Sequence, residues 1–420
     1  MNTNRTIGYL LPEFPGQTHI FWWREMNALT SMGVNVDIVS TRRPLSKLMS
    51  HTWVQEAQQR TTYLFPPRPN LVGILLELLR CGIPGWFRCL QAILTTKNVS
   101  FSGRLRLLAL ALVGAEVSNL ARSRNWQHLH VHSCADAANI AMFAALLSKL
   151  SYSLTLHGPL RDYGPNQEQK WQHATFGIVI TQQLYEEVQN SLADYIPKTI
   201  KVAPMGVDID VFTRTSSYSP WRGNGACRIF SCGRLNFCKG YVDLIAAVDI
   251  LRQQGITVEL KIAGEDEHGG NGYRKELETL IQTLGLADSV SLLGAVSEDT
   301  VKACLEEAHI FALASLREPL GVAIMEAMAM ELPIVVTGSG GVKELVEAEV
   351  NGLLVEPQAP TKLADAISQL LHNPELSIRL GQAAREKVIQ QFQAKRSAKV
   401  LYDIITELYP TTVETLSGKS

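Results

Sequence analysis

Two glutamates, Glu318 and Glu326, lie in REPLGVAIMEAMAMELPIVVTGSGGVKELV (317–346) with seven residues between them. Pro319 and Leu320 mark a helix start, where the first backbone N–H groups have no partner within the helix and are free to meet an anion. Glu318 precedes that helix and Glu326 sits about two turns inside it, a span on the order of 10 Å at about 1.5 Å per residue. The pair suits a ligand with a hydroxyl-bearing group at each end and an anion between, as in a sugar, a diphosphate and a ribose. An amphipathic helix with surface glutamates is the plainer alternative. It fits poorly, because Ile324, Met325, Ala327, Met328 and Met330 leave Glu326 little polar face, and a buried carboxylate is costly without partners.

An anion between two carboxylates needs cations. Gly233-Arg234-Leu235 followed by Lys239-Gly240 supplies them after an apolar run, at a strand end where doubly wound sheets bind ligands. Each charge-assisted contact from Arg234 or Lys239 contributes roughly 1.5–3 kcal/mol. It is strongest as a leaving group gains charge. The spacing is not that of a Walker A loop. His128, His130 and His132 alternate, so a strand would put all three on one face, but no fourth ligand accompanies them. His132 reads instead as a strand-end residue near a cleft. Asp208-Ile-Asp210 imitates a metal-binding acidic pair, yet it follows a strand and reads as a turn. Gly338–Gly341 is too short for a dinucleotide fingerprint.

These residues must be positioned by a chain of 420 residues, which is long enough for two cores. Short apolar runs alternate with amphipathic stretches, as βαβ units do. IGYLL (7–11) reads as a strand, 19–32 as a helix closed by Gly33, VNVDIVS (34–40) as the next strand, and 41–70 as irregular. Residues 71–124 form long apolar helices studded with Arg80, Arg88, Arg104, Arg106, Arg122 and Arg124. They fit a lipid interface, with Trp86 and Phe87 near the headgroups, and equally the core of an enlarged domain. The alternation resumes at 128 and runs to a strand at 199–204. The polar stretch SSYSPWRGNGA (216–226) separates it from a second strand–helix ladder. A helix at about 392–409 precedes a tail, VETLSGKS, that reads as frayed.

Residues 1–150 carry 15 Lys and Arg against 7 Asp and Glu, whereas 151–420 carry 24 against 33. The basic first third fits an anionic partner or simply solvated arginines on helices. The seven cysteines form no CxxC pair, which excludes the usual disulfide frameworks and zinc sites and fits a reducing compartment. The N-terminal residues lack the apolar core of a signal peptide, and no apolar run is long enough to span a bilayer.

The C-terminal half resembles retaining glycosyltransferase family 4, of the two-domain GT-B fold. The matching stretches are APMGVDIDVF (203–212), SCGRLNFCKGY (231–241), KIAGED (261–266), LLGAVSED (292–299), the Glu318–Glu326 segment and NGLLV (351–355). EFPGQTHIFWWREMNAL (13–29), HLHVHSCADAANIAMFAALL (128–147) and SLTLHG (153–158) extend the resemblance to the exopolysaccharide or colanic-acid type. It implies an α/β protein of two Rossmann-like doubly wound domains facing a cleft: an acceptor-side domain (1–205), a nucleotide-sugar domain (206–391), and a crossover helix and tail (392–420) returning to the first domain. It also implies that Glu318 holds hydroxyls of the transferred sugar and Glu326 the ribose. Arg234 and Lys239 would bind the diphosphate, backbone N–H groups of Leu320, Gly321 and Val322 the donor, and the 293–296 turn the base. His157 would stand near the anomeric centre and Gly16 in the loop approaching the donor. Where many members have Asp after that histidine this chain has Gly158, and the loop at Gly16-Gln17 lacks a second glycine or serine. The implied activity is metal-independent transfer from a nucleoside-diphosphate sugar to a lipid-linked or glycan acceptor, without a cofactor, at the cytoplasmic face of a membrane. An epimerase or phosphorylase on the same fold, and a non-catalytic partner subunit that binds nucleotide or membrane, are the alternatives.

Overall fold

The computed structural model describes residues 5–65, 71–97 and 99–410; the tail expected to be frayed lies outside them. The first series is β1 (Arg5–Glu13), α1 (Ile20–Ser31), β2 (Val34–Arg42), α2 (Val54–Arg60), β3 (Thr61–Phe65), α3 (Leu71–Thr95) and α4 (Phe101–Ser123). It continues with β4 (His128–Val131), α5 (Asp136–Ser148), β5 (Tyr152–Leu156), α6 (Gln167–Gln172), β6 (Phe176–Val179), α7 (Gln182–Leu192) and β7 (Ile200–Val202). All strands pair in parallel in the order β3-β2-β1-β4-β5-β6-β7. Within the stretch expected to be irregular, 46–48, α2 and β3 are ordered elements. β3 escapes sequence reading because only Leu64 of TTYLF is deeply buried by hydrophobicity; its place is set by pairing with β2.

The second series is β8 (Cys227–Cys232), α8 (Tyr241–Gln253), β9 (Val258–Ala263), α9 (Tyr273–Thr283), β10 (Val290–Gly294), α10 (Glu298–Glu307) and β11 (Ile310–Leu313). Then come α11 (Val322–Ala329), β12 (Ile334–Thr337), α12 (Val342–Leu345), β13 (Leu353–Val355), α13 (Pro360–His372), α14 (Pro374–Gln391) and α15 (Ala394–Leu408). Its sheet is again parallel, ordered β10-β9-β8-β11-β12-β13. Each sheet therefore reverses direction beside its first strand, between β1 and β4 and between β8 and β11. Ligands of such sheets bind outside the carboxyl ends of the strands at that point. The wholly buried runs IVVT of β12 and IFAL of β11 show why parallel strands read as continuous apolar stretches.

Two crossings join the halves. Val207 donates to the carbonyl of Phe392 and accepts from Ala394, and a side chain at Gly206 would strike Gln393 at 2.4 Å. The incoming and outgoing chains run side by side here. α15 then packs along α1, with Ser397 near Glu25, and returns the chain to the first sheet.

α3 and α4 form an outer layer over α5, which is buried nearly all round. α3 is broken at Gly82, where φ is +59° and Pro84 follows two residues on. α4 approaches α5 closely at Gly114, where a Cβ would lie 2.9 Å from the Ala144 nitrogen. Glu77, fully buried, takes two bonds from the Arg122 guanidinium (2.8 and 3.2 Å) and ties α3 to α4. One face of this hairpin is core, as the second reading expected, while Leu75, Leu79, Ile83, Phe87, Leu94 and Phe101 are exposed on the other. No helix among the described residues is long and apolar enough to cross a membrane.

Candidate active site

Loops that follow strand ends of both sheets meet between them. Gly233 and Arg234 follow β8, and the turn to α8 closes at Gly240, whose φ is +62°. A Cβ there would lie 1.9 Å from the Ala314 carbonyl oxygen at the end of β11, so only glycine lets this turn touch its neighbour. The contact brings Lys239 to the loop after β11, where its ammonium forms an ion pair with Glu318. Glu318 also accepts from the Ser315 hydroxyl at 3.1 Å. Arg234 is half exposed and meets Glu267 at 3.1 Å.

α11 begins at Val322, not at Pro319 or Leu320. Gly321, with φ +98°, precedes it and sets the helix amide end behind Glu318. The loop after β12 closes on the same segment, with Gly341 N–H donating to the Glu318 carbonyl at 3.1 Å. Opposite lies His157, after β5. A Cβ at the next residue, Gly158, would come within 3.6 Å of Pro319, in ordinary contact with the Glu318 loop.

Glu326 is not open. Its carboxylate takes 2.8 Å from Arg24 of α1, which also reaches Glu298 at 2.5 Å and lies over the Phe212 ring at 5.1 Å. Burial pushes the Glu326 carboxyl up, and the Arg24 guanidinium opposes that. Arg24 Nε and Nη1 are buried without hydrogen-bond partners among the described residues. Beside this bridge the Gln17 amide pairs twice with the Glu265 backbone, donating to its carbonyl and accepting from its N–H, both at 2.8 Å. Ser50 reaches the Val296 carbonyl at 2.7 Å, and Glu344 accepts from the first N–H groups of α7 at 2.8 and 2.9 Å. The cleft is closed around a cavity of about 60 Å³, lined by Gln17, His51, Gly233, Gly264, Glu298 and Glu326. That is room for about two waters, far short of the several hundred Å³ of a ligand pocket.

Gly16 stands at the turn into α1, where a Cβ would lie 2.9 Å from the His19 ring. Burial, then the charge of Arg234, pushes His19 down to about 3, which places this ring beside the Arg234 loop. His19 and Trp22 have buried ring nitrogens without partners. Trp22 also packs edge-on against His157 at 6.1 Å. Sequence reasoning did not single out His19, Trp22, Arg24, His51 or Glu298. The available signal was the density of His, Trp and Arg in THIFWWRE at a helix start, directly after a strand end.

The histidine row is satisfied. His128 bonds Ser151 and Ser153 (both 2.8 Å), and His130 bonds Ser153 (2.7 Å) and Thr155 (3.0 Å). His132 bonds His157 (2.9 Å) and Glu25 (3.1 Å). Glu25, His130 and His132 place donor atoms within 4.8 Å of one another, yet each already has a protein partner. Asp208 accepts from the backbone N–H of Asp210 (3.0 Å) and Val211 (3.3 Å), the expected turn.

This geometry has known counterparts. Residues 224–387 match the family of group 1 glycosyl transferases. The second half of the chain carries a group 1 glycosyltransferase domain. Over 417 residues the chain is 26% identical to the colanic acid biosynthesis glycosyltransferase WcaL of Salmonella typhimurium, covering 95% of this chain and 99% of that protein. Sucrose-phosphate synthase from Thermosynechococcus elongatus superposes with a TM-score of 0.72 at 18% identity, covering 96% and 99% of the two chains. Anabaena HepE, solved with UDP-glucose, gives 0.71 at 19%, with coverage of 96% and 99%. The fold is GT-B. Lys239, Glu318 and Glu326 all fall inside the group 1 domain, while His157, Arg24 and Gln17 come from the other half.

Proposed function

We propose that the chain is a retaining, metal-independent glycosyltransferase of the family 4 type. It moves a sugar from a nucleoside-diphosphate donor to a lipid-linked or polysaccharide acceptor in exopolysaccharide assembly at the cytoplasmic face of the membrane. The observation that carries this reading is the Lys239–Glu318 ion pair beside the start of α11, with the loop after β5 that holds His157 and Gly158 approaching Pro319 from the other sheet. The likeness to WcaL supports the pathway class, and HepE, a protein of this fold that binds UDP-glucose, supports the donor class.

Arg234, Lys239 and the N–H groups of Leu320, Gly321 and Val322 bind the donor diphosphate. They stabilise it most as the sugar–phosphate bond breaks and charge collects on the departing nucleotide. Lys239 exchanges its bond to Glu318 for the diphosphate, which frees Glu318 to accept from sugar hydroxyls. Glu326 accepts from the ribose once Arg24 has moved, and the backbone at 293–296 lies by the base. Gly16 leaves room for the donor beside His19, and His157 stands by the anomeric carbon. The two cationic side chains supply the charge that a bound metal supplies elsewhere.

Incubation with UDP-, GDP- and ADP-sugars and a lipid extract tests the reading. We expect acceptor-dependent nucleotide release that EDTA leaves unchanged, and a product with the donor's anomeric configuration by NMR. An inverted product or EDTA-sensitive release would overturn the mechanism. Turnover of the donor without any acceptor would favour an epimerase, and silence with every donor would favour a non-catalytic partner.

A further inference from the structure

A buried chain of hydrogen bonds leads away from His157, and its direction can be read. Tyr9 of β1 donates its hydroxyl to Glu25 Oε1 at 3.0 Å. Glu25 is the one partner recorded for that hydroxyl among the described residues, and Tyr9 is fully buried. Burial, then the neighbouring Glu25 carboxylate, raises the phenol well above its ordinary range, so it keeps its proton. The same oxygen faces His132 Nε2 at 3.1 Å, and Ser397 of α15 lies 3.4 Å from the other oxygen. Burial pushes the Glu25 carboxyl up, and His130 and the Tyr9 hydroxyl oppose this; as a carboxylate Glu25 only accepts, so His132 donates through Nε2. Its burial disfavours a second proton, and Nδ1 therefore carries a lone pair. His157 Nε2, 2.9 Å away, must donate to it.

We infer that Glu25 and His132 are positioning residues that hold His157 in its Nε2–H tautomer and turn its Nδ1 lone pair to the cleft as an acceptor for a hydroxyl of the sugar or acceptor. Three further observations agree. Trp22 packs edge-on against both rings (6.0 and 6.1 Å) and fixes their planes. His157 is half-buried, and its Nδ1 has no recorded partner among the described residues. The anchor joins β1, α1, β4 and α15, so the return of the C-terminal helix to the first domain sets the orientation of a ring in the cleft.

The kinetic arm of the test rests on the transferase reading; the spectroscopic arm does not. Long-range proton–nitrogen NMR of the full-length 15N-labelled chain, with His157 assigned by its loss in His157→Gln, reads the tautomer directly. We expect protonated Nε2 and bare Nδ1 in the wild type. Glu25→Gln keeps shape and removes charge. We expect it to lower kcat about 10- to 100-fold with little change in donor KM, the scale of outer-shell effects on histidines. Glu25→Asp should recover part of that loss. A wild-type His157 protonated at Nδ1, or a folded Glu25→Gln enzyme with kcat within twofold of wild type, would overturn the inference. If Glu25→Gln does not fold, the wild-type spectrum alone decides it. A chain that turns over no donor but shows the expected tautomer would sink the transferase reading and leave the tautomer assignment standing.

Discussion

Single side chains divide here into those that wait for a ligand and those already used by the fold. Lys239 and Glu318 neutralise each other across a loop, the ammonium partly exposed and the carboxylate buried, and in the proposed mechanism the donor diphosphate takes over the ammonium while sugar hydroxyls take over the carboxylate. Glu326 is different, because its removal strands Arg24, which is 6% exposed and left with Glu298 alone. Losing one partner of such a pair costs up to about 3–5 kcal/mol, so an inactive Glu326→Ala enzyme would not separate catalysis from folding. The histidines give a pH prediction. Burial lowers His128 and His157 to about 3 from 6.5. A depressed pKa gives stability that is present above 6.5 and lost as pH falls towards 3. At pH 5 each such ring costs about 2 kcal/mol relative to neutral pH. We expect the melting temperature to fall from pH 7 to pH 5, and to fall less in His128→Phe. Equal shifts in the two proteins would contradict this.

At the level of elements, much was legible in the sequence. The βαβ alternation and the helical character of α3 and α4 follow from apolar periodicity and turn residues, while the return of α15 was implied by the family resemblance. α2 and β3 were not legible, because their places are set by pairing and packing against distant strands. Composition alone could not say which side of the α3–α4 hairpin faces solvent. The structure leaves Ile83 86%, Phe101 78% and Phe87 65% exposed. Several of the flanking arginines are spent within the fold: Arg122 on Glu77, Arg106 on Asp136 and Arg124 on Asp37 (2.7 Å). For the proposed membrane contact, this face offers apolar burial more than charge. We expect the protein to sediment with phosphatidylglycerol vesicles at moderate salt, and Ile83→Glu with Phe87→Glu to release it while nucleotide release from the donor persists. Vesicle binding unchanged in that double variant would exclude the hairpin as the contact.

The whole molecule is held closed by contacts that no single segment announces. Gln17 pairs with the Glu265 backbone from 248 positions away, and Arg24 with Glu326 from 302. Each half of the site is visible in its own stretch of sequence: the glutamates and cations in one, the histidines in the other. Their meeting is a product of the parallel crossings at Val207 and Ala394. In the proposed mechanism the ribose reaches Glu326 only after Arg24 releases it, and we expect the halves to separate as this happens. We propose that Arg234 and Lys239 grip the diphosphate between the halves. Calorimetric titration of the wild type, Arg234→Met and Lys239→Met with UDP, GDP and ADP tests it most directly. We expect at least one nucleotide to bind the wild type and each variant, shown to be folded, to bind it at least tenfold more weakly. Equal affinity in all three proteins would contradict it.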